Sequence, residues 1–228
     1  MWYRFWKRFF LVWLRWQCRF RVEGAHHEPA AGPVLVVANH TSAADPVLVA
    51  IALRRRVITM GKEELFRVPV LGWWLRSLGG FPVRRGEPDR RALHVATREL
   101  ARGGVVVIFP EGTRSIDGRL QPAEPGAALL ALRTGATVLP VAVVGAHRML
   151  PKGARLPRPQ PIVVRLGPPL HPPRLDGRIA RDVLDVWGQR FIEALAALLP
   201  PDQQPPGPAS LPPARATGPG RSGPGAGR

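Results

Sequence analysis

Three short apolar runs, Val34 to Ala38, Val105 to Phe109 and Val138 to Val144, constrain this chain more than any other feature. Each is too short for a globular helix and apolar on both faces, as a strand is when it is covered from two sides. Between them lie helix-compatible segments. Pro46 to Leu53 is apolar; Pro88 to Arg102 places Leu93, Ala96 and Leu100 on one face before Gly103; Ala127 to Thr134 stops at Gly135; and Ile179 to Leu199 closes the pattern. Shorter strand-like runs fall at Val57 to Met60, Phe81 to Val83 and Ile162 to Leu166. Strands and helices that alternate in this way predict an α/β domain with a mostly buried central sheet flanked by helices. A chain of 228 residues that is 45% hydrophobic is long enough to bury one such core.

The two ends are composed differently. On a helical wheel, Met1 to Arg21 gathers Arg4, Lys7, Arg8, Arg15 and Arg19 on one side and Trp2, Phe5, Trp6, Phe9, Trp13, Trp16 and Phe20 on the other. Tryptophan and phenylalanine opposite arginine suit the headgroup boundary of an anionic bilayer, so residues 1–24 read as an amphipathic membrane-anchoring helix. A helix docked on the core and a cleaved leader are the competing readings; the leader lacks a small-residue cleavage site. Residues 25–199 form the predicted domain. From Pro200 to Arg228 there are nine Pro, six Gly and a single large apolar residue, Leu211, so this tail cannot make a core and reads as disordered. Its Gly218-x-Gly220-x-x-Gly223 spacing has no strand before it and is not a dinucleotide site.

A formal charge of +17 reads either as arginine-rich composition on solvated faces or as a call for phosphate-bearing partners, without choosing among nucleic acid, anionic lipid and acidic small molecules. No zinc-finger spacing or RNA-recognition signature is present, and no nucleic-acid partner is expected. Arginine interrupts every apolar run before the roughly 18 residues of a membrane span. A single cysteine, Cys18, excludes an internal disulfide. The adjacent His26 and His27 with Glu28 lack a third ligand, so no metal is assigned. His94, His147 and His171 are read as structural.

Two polar loops carry the chemistry. The first, Asn39-His40-Thr41-Ser42-Ala43-Ala44-Asp45, follows the Val34 strand. Histidine is suited to accept a proton near neutral pH, and a carboxylate five positions on can fix its tautomer. Asp45 before Pro46 also reads as a helix N-cap. The second loop, Phe109-Pro110-Glu111-Gly112-Thr113-Arg114-Ser115, follows the Val105 strand. Its arginine fork, glycine and hydroxyl can cradle a phosphate, although a surface turn with a local Glu111–Arg114 pair would read the same.

Taken together these loops resemble the glycerophospholipid acyltransferase family, of the 1-acyl-glycerol-3-phosphate acyltransferase type. Asn39-His40 with Asp45 is similar to its N-H-x-x-x-x-D block, Gly79-Gly80-Phe81-Pro82-Val83-Arg84-Arg85 to its second, Phe109 to Ser115 to its F-P-E-G-T-R-S block, and Val138-Leu139-Pro140-Val141 to its fourth. Lys62-Glu63-Glu64-Leu65 resembles a further stretch, and the likeness spans residues 34–167. One position departs: the family usually carries an acidic or amide residue where this chain has Arg84.

The resemblance implies that His40 is the general base, oriented by Asp45, and that the acceptor hydroxyl attacks an acyl thioester without an acyl-enzyme. It further implies that Arg85, Glu111, Gly112, Thr113 and Arg114 form the acceptor-phosphate site, with Glu111 holding the loop's geometry. Thr41 and Ser42 are then turn residues. The expected partners are a lysophospholipid acceptor, acyl-CoA or acyl carrier protein as co-substrate, and an anionic membrane surface, with no further cofactor. Phosphatidic acid would be the product, made by a protein peripheral on the cytoplasmic face of the membrane. Trp73 and Trp74 are expected to extend the apolar contact, to line an acyl groove or to pack in the core. The departure at Arg84 keeps a related acceptor open, another lysophospholipid or a hydroxylated aminolipid, and an inactive basic binding protein is the distant alternative.

Overall fold

The computed structural model describes residues 2–67, 69, 72–73, 76, 79–83, 90–151, 154 and 156–205. Sequence expectations for Arg84, Arg85, Trp74 and the tail beyond residue 205 lie outside the described residues. Seven strands form one sheet: β1 (Arg21–Glu23), β2 (Val34–Ala38), β3 (Val57–Lys62), β4 (Gly80–Val83), β5 (Val105–Ile108), β6 (Thr137–Val144) and β7 (Val163–Leu166), in the order β1-β7-β6-β2-β5-β3-β4. The five strands from β6 to β4 in that order run parallel; β7 runs antiparallel to β6, and β1 parallel to β7. The apolar runs therefore occupy the centre, where every residue of β2 is buried.

Alternation along these strands divides the core in two. Val34, Val36, Ala38, Val105, Val107, Leu139 and Val141 point to one face, where they meet Leu48, Val49 and Ile51 of α2 (Asp45–Ala52) and Leu14 of α1 (Trp2–Cys18). Leu35, Val37, Val106 and Val138 point to the other, covered by α4 (Arg90–Ala101), α5 (Pro125–Thr134) and α7 (Arg181–Ala196), with Ala96, Leu100, Leu130 and Phe191 in contact. The short helices α3 (Glu63–Arg67) and α6 (Ala146–Met149) follow β3 and β6. This three-layer arrangement is the predicted class.

Pro140 sits in a central strand, where its missing N–H should break a ladder. It falls at the last rung toward β7: its carbonyl accepts the Gly167 N–H at 2.9 Å, and the pairs with β7 begin at Val141.

Both ends of the domain depart from the sequence reading. Residues 21–23, grouped above with the N-terminal segment, pair with Val163 to Arg165 as an edge strand. Pro201–Gln203 forms a short 3-10 turn, and the buried Gln203 accepts the Leu120 N–H through its carbonyl at 3.0 Å. Composition located neither, because three-residue elements carry no periodicity.

The helix α1 is docked, and its docking face is not the aromatic one. Leu14 and Cys18 are buried, with Phe10 and Leu11 packed beside them. Lys7 stands three, four and seven positions before Phe10, Leu11 and Leu14, so it falls on this inward stripe rather than on the outer polar side expected from the sequence. Its ammonium donates to the Leu53 carbonyl at the carboxyl end of α2, where the helix dipole is negative, and burial pushes its pKa down. Phe20, expected on the aromatic face, lies beyond the helix and is buried. Phe5, Phe9, Val12, Trp13 and Trp16 remain exposed along the opposite side.

Candidate active site

The strands β2 and β5 are adjacent and parallel, with Val37 opposite Ile108, so the loops that follow them leave the sheet side by side. The chain from β2 passes to β3 beyond β5, and the chain from β5 passes to β6 beyond β2. Connections that part in this way open a crevice at the carboxyl edge of a parallel sheet.

Both polar loops meet there, and they are bonded to each other through the backbone of His40. Its N–H donates to Glu111 Oε1 at 2.7 Å, and its carbonyl accepts the Ser115 N–H at 2.8 Å. One strand away, the Asn39 side chain acts as a backbone surrogate: Nδ2 donates to the Val143 carbonyl at 3.1 Å and Oδ1 accepts the Val143 N–H at 2.7 Å. The residue that carries the imidazole is thus fixed from β5 and, through its neighbour, from β6. Sequence reasoning named Asn39 and Ser115 only as motif letters, because their partners are more than 70 positions away in the chain.

The imidazole itself is buried, and its Nδ1 lies 3.0 Å from Asp45 Oδ2. The same oxygen accepts the N–H groups of Thr41 and Ser42, each at 2.7 Å. Asp45 is therefore not the cap of α2: the N-cap position is Ala44, and the Asp45 carboxylate turns back into the preceding loop. The Oδ1 atom is buried without a hydrogen-bond partner among the described residues, so three donors on Oδ2 carry the solvation of this carboxylate. With Asp45 accepting, Nδ1 carries the proton of the neutral ring and Nε2 is its acceptor. Phe109 stacks on the imidazole at 4.2 Å between centroids. Ser42 Oγ donates to the Leu150 carbonyl at 3.0 Å and so fastens the turn.

Glu111, grouped by sequence with the acceptor-binding residues, has both oxygens engaged by backbone: Oε1 by His40 and Oε2 by the Gln121 N–H at 3.1 Å. It clasps the two loops. Burial pushes its carboxyl up to about 7; the two N–H donors pull the other way, and the Asp45 and Asp117 charges add to the rise. Gly112 has φ of +68°, the left-handed region, and an added Cβ would come 3.1 Å from Glu124 Cγ, so only glycine turns the loop here comfortably. Gly112 and Thr113 are exposed and Arg114 is half-buried. Among the described residues, no group of three His, Cys, Asp or Glu side chains is placed to hold a metal ion.

The raised pKa of Glu111 makes its contribution to stability depend on pH. Its ordinary value is 4.5, so between that and about 7 the folded protein keeps a proton that the unfolded chain has released. Its contribution to stability is therefore greatest at low pH and is lost as pH rises through about 7. Glu111→Gln stays neutral throughout. The difference in melting temperature, parent minus E111Q, is expected to shrink from about pH 5 to about pH 8 in thermal unfolding followed by circular dichroism. A difference that grows with pH would show that the two N–H donors outweigh burial.

Fold and site together define an α/β protein with a buried histidine–carboxylate pair at the carboxyl edge of its sheet. The chain belongs to the Acyltransferase family, whose sequence profile matches residues 19–144. It is 32% identical over 139 residues to the chloroplastic 1-acyl-sn-glycerol-3-phosphate acyltransferase LPAT1 of Arabidopsis thaliana, covering 60% of this chain and 39% of that one. With the 1-acyl-sn-glycerol-3-phosphate acyltransferase of Streptococcus pneumoniae it shares 33% over 113 residues, 49% of this chain and 41% of the other. The crystal structure of the 1-acyl-sn-glycerophosphate acyltransferase PlsC from Thermotoga maritima superposes with a TM-score of 0.71 at 27% identity, covering 86% of this chain and 78% of that chain. The chain spans only about two-fifths of the length of the Arabidopsis relative.

Proposed function

We propose that this protein transfers an acyl group from an acyl thioester to the free sn-2 hydroxyl of 1-acyl-glycerol-3-phosphate, giving phosphatidic acid. The observation that carries the reading is the His40–Asp45 pair clasped to the Glu111–Ser115 loop at one edge of the sheet. Imidazole Nε2 takes the proton of the acceptor hydroxyl as its oxygen attacks the thioester carbonyl carbon. The tetrahedral intermediate collapses with loss of the C–S bond, and the imidazolium returns its proton to the departing thiolate. The Asp45 carboxylate stabilises the imidazolium and holds the ring in its working tautomer. Arg114, with Gly112, Thr113 and Arg85, takes the acceptor phosphate; an arginine fork matches a phosphomonoester. Acyl-CoA or acyl carrier protein is the co-substrate, and no further cofactor enters the scheme.

The protein works, in this reading, as a peripheral protein on the cytoplasmic face of an anionic membrane. Support comes from the outward stripe of Phe5, Phe9, Val12, Trp13 and Trp16 on α1, bordered by the exposed Arg8 and Arg15. Among the described residues no helix is long and apolar enough to cross a membrane. The plant and bacterial relatives carry the same activity in their names.

The phosphate assignment is tested by Arg114→Ala. The KM for 1-acyl-glycerol-3-phosphate is expected to rise about 10- to 100-fold, the worth of one charge-assisted hydrogen bond, with little change for an unphosphorylated monoacylglycerol. Equal losses on both acceptors would remove Arg114 from the phosphate site and favour an acceptor of another kind.

A further inference from the structure

One face of α4 is basic from end to end. At 100° per residue, Arg91, His94, Arg98 and Arg102, the last just past the helix end, fall within an arc of about 80°, and all four are exposed. Ala92, Ala96 and Leu100 lie off this arc and are buried. Neighbours in the stripe stand three or four residues apart, so it runs for about 16 Å along the helix. No carboxylate pairs with any of the four side chains among the described residues. Glu99, the single acid of α4, lies off the stripe and turns against Gly104. Helix α5 packs beside α4 and adds the exposed Arg133 near its own carboxyl end. Helix α7, which packs on α5, is acidic by contrast: Asp182 and Asp185 are exposed, and Arg181 is paired with Asp185.

Strand order gives this stripe a direction. Strand β4 ends at Val83 on the carboxyl edge and β5 starts at Val105 on the amino edge, so α4 begins beside the edge that holds His40 and runs away from it. Arg91 is at the crevice end and Arg102 at the far end. Helix α4 also covers the face of the sheet opposite to α1 and α2. Headgroups met by the outward stripe of α1 are therefore on the other side of the sheet, and an anionic ligand of α4 comes from solution. The spread of the charges selects its kind. Both acyl donors carry the thioester on a pantetheine arm; beyond the arm one has a nucleotide and the other a folded acidic protein. The phosphates of one nucleotide lie close together and engage one or two guanidinium groups. Basic side chains on successive turns over about 16 Å match the flank of an acidic helix, where rows of opposite charge steer the encounter and set the register.

We propose that the basic face of α4, through Arg91, Arg98 and Arg102, is the docking surface for a small acidic carrier protein, which seats beside the crevice and presents its acyl thioester to the site of His40. This rests on the acyl-transfer reading above and deepens it: of the two donors, the protein-borne one is the one that α4 recognises. Acyl-CoA uses the same crevice without touching the stripe.

The test compares the two donors on the full chain. In R91E/R98E/R102E the KM for oleoyl-acyl carrier protein is expected to rise about 10- to 100-fold at about 50 mM NaCl, while kcat and KM with oleoyl-CoA stay within about twofold of the parent. The KM of the parent for the carrier should itself rise several-fold between about 50 and about 300 mM NaCl, and the variant should lose most of that dependence. An unchanged KM for the carrier overturns the proposal, and so does an equal loss with oleoyl-CoA in a variant whose melting curve matches the parent. Parent turnover with oleoyl-CoA but none with the carrier overturns it and leaves the acyl-transfer reading standing; no turnover with either donor overturns both. Should the charge reversal fail to fold, R91Q/R98Q/R102Q is expected to show the same donor-selective rise at about five- to tenfold, and a rise with both donors contradicts the proposal. A duplex DNA that binds the parent at about 150 mM NaCl and not the variant, with the carrier KM unmoved, would make the face a nucleic-acid surface and sink the carrier assignment.

Discussion

Replacing His40 by alanine is expected to lower acyl-transfer turnover by about 10²- to 10⁴-fold, the range that a positioned general base supplies. The protein should remain folded, because the bonds that tie His40 into the structure are made by its backbone. Its N–H to Glu111 and its carbonyl to Ser115 survive the substitution, and Asp45 keeps the Thr41 and Ser42 donors. The losses include the 3.0 Å contact to Asp45 and the stack on Phe109, together worth on the order of 1–2 kcal/mol of stability. A stopped-time assay beside a melting curve separates the two effects. Turnover within threefold of the parent would remove His40 from the chemistry.

Asp45 is expected to split two roles that His40→Ala cannot separate. In Asp45→Asn the amide oxygen can take the place of Oδ2 and accept the same three donors, while its NH₂ occupies the position of the unpartnered Oδ1. The loop is then kept, but the negative charge that stabilises the imidazolium is gone, and turnover should fall by about 10²- to 10³-fold with a small change in stability. Asp45→Ala removes the acceptor altogether and strands two buried N–H groups, each costing about 1–3 kcal/mol. That variant should lose about 2–5 kcal/mol in urea unfolding as well as turnover. If Asn and Ala proved equally unstable, the charge rather than the hydrogen bonds would hold the loop.

Much of the fold was legible because the central strands are apolar on both faces. Val34 to Ala38 and Val105 to Phe109 could be placed in a buried central sheet on that ground alone, and the helices between them follow from their wheels and glycine stops. The edges were not legible. Arg21–Glu23 alternates exposed and half-buried positions over only three residues, and nothing local tells that it pairs with a segment 142 positions on. The wheel of α1 separated the aromatic side, which stays exposed, but did not show the docking stripe: Phe10, Leu11, Leu14 and Cys18 meet the core, and Lys7 and Phe20 lie off the faces expected for them.

At the candidate site, the His40–Asp45 contact follows from a five-position spacing and a tight turn. The clasp does not. That Glu111 holds the backbone of His40, and Asn39 that of Val143, depends on β2 lying between β5 and β6, which is a property of strand order and not of any one loop. Arg114 was named from its motif, and the structure adds that it is half-buried.

In the proposed reaction this site joins an acyl thioester to a lysophospholipid hydroxyl. The most direct measurement is mass-spectrometric detection of phosphatidic acid, with parallel release of free thiol, when the purified full chain is given oleoyl-CoA and 1-oleoyl-glycerol-3-phosphate on phosphatidylglycerol vesicles. Phosphatidic acid and thiol appearing in equal amounts, dependent on the acceptor and abolished by His40→Ala, is the predicted result. Thiol released without acceptor, or no product with either oleoyl-CoA or oleoyl-acyl carrier protein from a folded protein, would contradict it.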